Sequence, residues 1–233
     1  MLIDKILNAR ADLLSFFNLQ GISMVWYAPY MHRRKIFIGI EIPTRLRKSI
    51  MRATEKWRDL LRAPEETSSA RNSAVAWSKE ENLHITLAFV GYVTDEIIAD
   101  MCLKLRELCK NISPFDIQLT SLTLAYTSSG AEHDPQNAKM IWVEGQASDE
   151  LKNLQQKIAK SLNIFIPINQ KTLRPHVTLG RIKRGQWKSL KEIPTINEKI
   201  NYDLSVDAVT LFESTIVDGK RKYLPLEVCP LGV

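Results

Sequence analysis

Residues 82–91 read Asn-Leu-His-Ile-Thr-Leu-Ala-Phe-Val-Gly, and residues 174–181 read Arg-Pro-His-Val-Thr-Leu-Gly-Arg. The two stretches share the pattern His-x-Thr-Leu, with the histidines at His84 and His176. Both stretches are short and rich in β-branched and apolar residues, which predicts two β-strands. Alternate side chains of a strand leave opposite faces, so each histidine shares a face with the threonine two residues later. Each strand is therefore expected to have one polar face and one apolar face.

The apolar faces of the two predicted strands are expected to pack into a core. On the first strand this face consists of Leu83, Ile85, Leu87 and Phe89, and on the second of Val177 and Leu179. Two of the four histidines in the chain thus occupy the same slot of one pattern. This suggests two duplicated halves whose polar faces meet at a shared cleft.

The segments around these strands alternate between strand and helix patterns. Helices are predicted for about 45–62, 95–109 and 148–162, and further strands for 36–42, 74–77, 115–126, 140–143, 203–213 and 221–228. The turn-rich residues 127–137 separate the two halves. This order predicts an α+β fold with two ferredoxin-like lobes, whose antiparallel sheets surround a central cleft.

Residues 1–32 are predicted to form a partly helical appendage to a two-lobed domain at residues 33–233. The spacing of apolar residues from Ile3 to Phe17 fits an amphipathic helix. The stretch from Met31 to Lys35 looks like a natural chain start. Two interpretations of the appendage stay open: a docking helix, and an upstream choice of start codon.

The composition excludes several classes of protein. With 45% hydrophobic and 25% charged residues, the chain of 233 residues is typical of a globular protein and not of a disordered, collagenous or disulfide-stapled one. A net charge of +6 favours an anionic partner without identifying it. The three cysteines are expected to be free thiols in a reducing compartment. No apolar run approaches the roughly 20 residues of a membrane span, so we predict a soluble, cytoplasmic protein.

Two histidines that face each other supply the groups for acid and base catalysis without a metal. With ordinary pKa values near 6.5, one imidazole can be neutral and take a proton while the other is protonated and gives one. Cleavage of a phosphodiester without a metal needs such a pair, because one ring activates water and the other protonates the departing sugar oxygen. Thr86 and Thr178 can donate hydroxyl hydrogen bonds to the phosphate oxygens.

Arg181 would add a positive charge near the phosphate. Plain alternation places it on the opposite face from His176, so it reaches the phosphate only if the strand ends or bulges at Gly180. Zinc binding is the weaker interpretation of the two histidines, because no further ligand falls at a suitable spacing beside either one. His32 and His133 are expected to be solvent-exposed. The aromatic candidates for base stacking, with core packing as the alternative, are Trp77, Phe89, Trp142 and Tyr223.

The two motifs, their flanks and the opening strand Lys-Ile-Phe-Ile-Gly-Ile-Glu-Ile-Pro at residues 35–43 carry a resemblance. Over about residues 33–230 the chain resembles the two-histidine phosphoesterase superfamily, and within it the RNA 2′,3′-cyclic phosphodiesterase family, also called the LigT-like or 2′-5′ RNA ligase family. The resemblance implies a bilobal fold, no cofactor, no metal, and hydrolysis of a terminal 2′,3′-cyclic phosphate of RNA to a 2′-phosphomonoester. It assigns His84 as the proton donor and His176 as the proton acceptor, and it places Arg181 where the family has an arginine after the second motif.

The resemblance also implies that the same centre can join or reverse 2′-5′ linkages in RNA. The protein is expected to be a monomer that binds RNA ends and does not bind a membrane. Two other functions stay open. One is a phosphodiesterase that acts on small cyclic nucleotides or on 2′-5′ oligoadenylates, and the other is a module that binds RNA ends without catalysis.

Overall fold

A computed structural model describes residues 33–61, 73–126, 134–168 and 173–233. Its strands are β1 (Arg34–Glu41), β2 (Val75–Trp77), β3 (His84–Val93), β4 (Phe115–Ala125), β5 (Met140–Gly145), β6 (His176–Ile182), β7 (Asn197–Val206), β8 (Ala208–Val217) and β9 (Lys220–Pro230). Its helices are α1 (Thr44–Leu60), α2 (Asp95–Lys110), α3 (Asp149–Leu162) and the short α4 (Arg184–Lys188), with 3-10 turns at Glu80–Asn82 and Pro135–Asn137. The predicted appendage at residues 1–32 lies outside the described residues, as do residues 62–72, 127–133 and 169–172.

The strands form one antiparallel sheet in the order β7, β4, β5, β6, β3, β1, β8, β9, with β2 paired to β6. The boundary between β6 and β3 divides this sheet into two halves of four strands. Lobe 1 contains β3, β1, β8 and β9, and lobe 2 contains β6, β5, β4 and β7. The lobes meet edge to edge where Ile85 pairs with Val177. The predicted α+β class with antiparallel sheets in two lobes is therefore confirmed. The prediction that residues 127–137 separate the halves is wrong, because β4 before them belongs to lobe 2, while β8 and β9 after them belong to lobe 1.

The apolar residues of the two motif strands lie in a continuous core. Ile85, Val177 and Leu179 are fully buried and Leu87 is 3% exposed. The helices α2 and α3 contribute apolar residues at helical spacing, namely Ile98, Met101, Leu105, Leu151, Leu154 and Ile158. Within the residues described, no helix combines the length and the apolar character that crossing a membrane requires.

Phe89 was predicted to belong to this core, and that prediction is wrong, because its side chain is 76% exposed. The pairing between β3 and β1 passes from Thr86 opposite Gly39 to Ala88 opposite Ile38, so Leu87 has no partner on β1. A β-bulge of this kind reverses the alternation of side chains beyond it. Phe89 consequently leaves the opposite face from the one that an unbroken strand would give it.

The end of the chain also differs from the prediction. The stretch 203–213 was predicted as one strand, but β7 ends at Val206 and β8 begins at Ala208, so three strands follow α4 instead of two. An apolar pattern that continues across a tight connection looks like one strand in the sequence. The helix predicted for about 45–62 begins one residue earlier, at Thr44, and Pro43 holds the cap position. Cys102, Cys109 and Cys229 are free and buried, as predicted for thiols.

Candidate active site

His84 and Thr86 share one face of the sheet with two exposed aromatic residues. The pairs between β3 and β1 are His84 with Glu41, Thr86 with Gly39, Phe89 with Phe37, and Tyr92 with Lys35. The β1 partners are two residues apart and so lie on one face, and paired residues share a face. The ring of Phe37 lies 4.8 Å from that of His84, which confirms the shared side. We call this side of the sheet the cleft face.

The second motif has the same arrangement on β6. The pairs between β6 and β5 are His176 with Glu144, Thr178 with Trp142, and Arg181 with Met140. The register passes from Thr178 to Gly180 while β5 advances by one residue, so Leu179 is the extra residue of a bulge. The bulge that Arg181 needs is therefore present, and its guanidinium Nη1 lies 3.7 Å from the sulfur of Met140 on the cleft face. Its role in binding phosphate stays a prediction.

The pair Ile85 with Val177 fixes how the two motifs meet. Extending this antiparallel register by one residue in each direction places His84 opposite Thr178, and Thr86 opposite His176. Directly opposed residues have Cβ atoms about 5 Å apart, and diagonal ones lie roughly 7–8 Å apart. The two histidines are thus diagonal neighbours on the cleft face, at the boundary between the lobes.

Each histidine ring is held by the same type of hydrogen bond. Nδ1 of His84 lies 2.8 Å from the carbonyl oxygen of Asn82, and Nδ1 of His176 lies 2.7 Å from that of Arg174. A carbonyl oxygen only accepts, so Nδ1 carries the hydrogen in both rings. The nitrogen available for proton transfer is therefore Nε2. In the first motif, Nε2 also lies 3.1 Å from the hydroxyl oxygen of Thr86.

Aromatic side chains surround His84. Besides Phe37, the ring of Tyr223 meets the imidazole edge-on at 4.8 Å, and that of Phe212 lies 6.0 Å away. Tyr223 is tied to the motif by Asn82, whose side-chain amide donates to the carbonyl of Arg221 and accepts from the backbone N–H of Tyr223. Asn82 therefore orients His84 through its carbonyl and fixes β9 beside it through its side chain.

A cleft of about 350 Å³ opens beside His84. Its walls come from the end of β1, the start of α1 and β9, and they include Glu41, Arg47, Lys222 and Tyr223. Arg47 donates to Glu41 at 3.0 Å, so these two charges balance each other. The amino group of Lys222 is the other positive charge on the wall.

Charged residues surround His176 instead. The ring of Trp142 stacks on the imidazole with 3.6 Å between centroids. Nε and Nη2 of Arg174 both donate to Oε1 of Glu144, at 3.0 and 2.8 Å, and the guanidinium lies 5.6 Å from the centre of the Trp142 ring. Glu144 is also the cross-strand partner of His176, so the ion pair of Arg174 with Glu144 lies beside the imidazole.

Burial lowers the pKa of both histidines from the usual value near 6.5. For His84, the hydrogen bond to the Asn82 carbonyl opposes this effect and the charge of His176 adds to it. For His176, the bond to the Arg174 carbonyl and the carboxylate of Glu144 both raise the pKa against burial, while the guanidinium of Arg174 lowers it. The two charged neighbours of His176 thus act in opposite directions, since Glu144 favours its protonated form and Arg174 its neutral form.

The sequence located the histidines, the threonines and Arg181, and it missed the residues that orient them. Asn82 and Arg174 share one signal, since each stands two residues before its histidine. Glu144 and Phe212 come from other strands, and nothing in the sequence links them to the motifs. Among the residues that the structure describes, no group of three or more His, Cys, Asp or Glu side chains could hold a metal ion. His32 and His133 lie outside those residues.

A sequence model of the 2′-5′ RNA ligase superfamily matches residues 49–215. The chain belongs to the 2′-5′ RNA ligase superfamily. Similar proteins include one from Aquifex aeolicus named RNA 2′,3′-cyclic phosphodiesterase, which is 29% identical over 161 residues, or 67% of this chain and 81% of that protein. A protein of the same name from Thermotoga maritima is 24% identical over 200 residues, or 84% of this chain and 94% of that protein.

Two solved structures share this fold. Escherichia coli LigT, crystallised with 3′-AMP, superposes with a TM-score of 0.62 at 23% identity, over 85% of this chain and 98% of LigT. A protein from Thermus thermophilus superposes with a TM-score of 0.66 at 17% identity, over 85% of this chain and 98% of that protein. The LigT-like fold expected from the two motifs is therefore confirmed.

Proposed function

We propose that the protein hydrolyses the 2′,3′-cyclic phosphate at the end of an RNA strand to a 2′-phosphomonoester, without a metal. The names of its relatives support the activity in general. The observation that carries the mechanism is the diagonal placement of His84 and His176, each with Nδ1 committed to a carbonyl and Nε2 available. Two such nitrogens on one face provide an acid and a base for a single phosphate.

In the proposed reaction, water attacks phosphorus while Nε2 of His176 takes a proton from it. The bond between phosphorus and O3′ breaks, and Nε2 of His84, which starts protonated, gives its proton to O3′. The products are a 2′-phosphate and a free 3′-hydroxyl. His84 ends neutral and His176 ends protonated, so exchange with solvent restores the starting state.

The charge on the phosphate oxygens would be held by Thr86, Thr178 and Arg181. The hydroxyl oxygen of Thr86 lies 3.1 Å from Nε2 of His84. When Nε2–H of His84 is directed at O3′ of the substrate, the Thr86 hydroxyl can direct its own hydrogen at the phosphate. Thr178 lies opposite His84 across the boundary between the lobes. The contact of Arg181 with the sulfur of Met140 is weak, which leaves its guanidinium available for an anion.

The same proton transfers would serve ligation. If the 5′-hydroxyl of a second RNA strand replaces water, its attack on phosphorus with departure of O3′ gives a 2′-5′ linkage. The superfamily takes its name from this reaction. We include it in the proposal as the second reaction of one centre.

The test is product analysis after incubation, with chelator present, with an RNA that ends in a 2′,3′-cyclic phosphate. We expect a 2′-phosphate end from the wild-type protein and far less of it from His84→Ala in the same time. Parallel reactions with a nucleoside 2′,3′-cyclic monophosphate and a 2′-5′ oligoadenylate distinguish the substrate classes. Conversion that requires added metal would contradict the mechanism, and binding of the RNA without conversion would support the binding module instead.

A further inference from the structure

Two large aromatic side chains on the cleft face have little cover. Phe89 is 76% exposed and Tyr92 is 64% exposed. Both belong to β3, and their pairing with Phe37 and Lys35 puts them in one column with His84 and Thr86. Exposed aromatic residues beside a candidate catalytic centre are typical of a binding surface.

The backbone of β3 is shaped to expose these residues. Leu87 and Val90 both lack a partner on β1, so the strand bulges once before Phe89 and again before Tyr92. The first bulge is held from behind, because the side-chain amide of Gln155 on α3 donates to the carbonyl of Leu87 at 3.0 Å. Without it, Phe89 would point into the core. Bulges next to active sites commonly aim a side chain in this way.

Positive charge accompanies the aromatic rings. The amino group of Lys35 lies 5.8 Å from the centre of the Tyr92 ring. Arg33, two residues before Lys35, is exposed. Surfaces that bind single-stranded nucleic acid combine aromatic side chains, on which bases stack, with lysines and arginines for the backbone phosphates. At about 3.3 Å per residue, Phe89 lies roughly 10 Å along the strand from Thr86, and Tyr92 roughly 10 Å further.

We propose that Phe89, Tyr92 and Lys35, which we call the aromatic track, bind the RNA strand on the 5′ side of its cyclic phosphate. The two aromatic rings stack with its bases, and Lys35 attracts its backbone phosphates. This rests on the proposed function and deepens it. The track makes an RNA end a better substrate than a free cyclic nucleotide, because a mononucleotide fills the catalytic centre and leaves the track empty. The track continues from Thr86 along β3 and lies outside the cleft beside His84. The bound RNA strand would therefore leave the catalytic centre along β3.

The experiment compares kcat/KM for two substrates: a short oligoribonucleotide that ends in a 2′,3′-cyclic phosphate, and a nucleoside 2′,3′-cyclic monophosphate. We expect the wild-type protein to prefer the oligoribonucleotide. Phe89→Ala and Tyr92→Ala should each lower kcat/KM for it about tenfold, mainly through KM, with less than roughly a twofold change for the mononucleotide. Phe89→Trp should retain the preference. The control is Ile164→Ala, which truncates a side chain that follows α3 and is 79% exposed. It should leave kcat/KM unchanged for both substrates.

Equal losses for both substrates would overturn the track, because Phe89 would then serve the catalytic centre itself. Unchanged values for both would overturn it as well. If the wild-type protein converts neither substrate, the proposed function fails, and the track is then decided by equilibrium binding of the same oligoribonucleotide with a plain 3′-hydroxyl. Binding that weakens in Phe89→Ala and Tyr92→Ala but not in Ile164→Ala would support the track, and equal binding by all four proteins would exclude it.

Discussion

The strands β3 and β6 carry one motif and the same local backbone, yet the two histidines have different neighbours. Both strands bulge at the leucine of the Thr-Leu pair, and in both Nδ1 bonds the carbonyl two residues earlier. His84, however, lies among Phe37, Phe212 and Tyr223. His176 lies beside the Trp142 ring and near the ion pair of Glu144 with Arg174.

The bulges expose a second difference. Five residues after its histidine, the first strand has Phe89 and the second has Arg181, and both lie on the cleft face. The same backbone shape therefore places an aromatic ring on the cleft face of β3 and a guanidinium on the cleft face of β6. The comparison teaches that the motif supplies a position for a proton-transfer group, while residues from neighbouring strands determine what each position does.

Removal of either histidine should have the largest effect. His84→Ala and His176→Ala should each lower turnover by roughly 10² to 10⁴, the range for loss of a positioned acid or base. The double variant should lose far less than the product of the two, because both groups act in one step. Single-turnover hydrolysis of the cyclic-phosphate RNA measures this, with a melting curve as the control for folding. A folded single variant with near wild-type rates would refute the paired mechanism.

A second prediction breaks the packing beneath only one motif. A Cβ on Gly39 would lie 2.5 Å from the carbonyl oxygen of Ile85 and 3.6 Å from Cδ2 of His84, so β1 and β3 would have to separate. Gly39→Ala should therefore lower the free energy of unfolding by roughly 1–3 kcal/mol, as denaturant unfolding would show.

The matched control is Gly185→Ala in α4, where an added Cβ meets nothing within 4 Å. We expect no loss of stability from this change, since alanine has a higher helix propensity than glycine. Equal stability of the two alanine variants would mean that β1 can move away from His84 at little cost.

The threonines should matter less than the histidines. Thr86→Val and Thr178→Val each remove a neutral donor and keep the shape, which should cost about 1 kcal/mol or somewhat more of transition-state stabilisation. We expect the larger loss for Thr86, whose hydroxyl bonds directly to Nε2 of His84. Single-turnover rates at saturating RNA measure this, and a larger loss for Thr178 would reverse that ranking.

The smallest change should separate the two proton roles. Glu144 raises the pKa of His176, so Glu144→Gln should lower it. As the acceptor, His176 must start neutral, and its protonation sets the acidic limb of the pH profile of kcat/KM. That limb should shift to lower pH, while the basic limb, set by His84, stays in place. Glu150→Gln at the exposed start of α3 serves as the control. A shift of the basic limb instead would mean that His176 has the higher pKa of the two histidines.

Sequence reasoning reached the two strands and their catalytic candidates because the repeated motif combines a local period with a chemical pattern. It failed at Phe89 because period-two alternation assumes an unbroken strand, and the bulge at Leu87 depends on the partner strand. For Arg181 the need for a bulge could be stated, but its presence could not. Residues such as Glu144 and Phe212 reach the histidines only through strand order, which a single sequence does not encode locally.

The strand order also has a consequence for how the protein is made. The four strands of lobe 2 are contiguous in the chain, from Phe115 to Val206, so they can pair before the last strands emerge from the ribosome. Lobe 1 cannot, because β1 must wait for β8, with roughly 170 residues between Ile38 and its partner Leu211. Such distant pairing is slow to form. The half that holds His176 can thus serve as the template on which the half that holds His84 is completed.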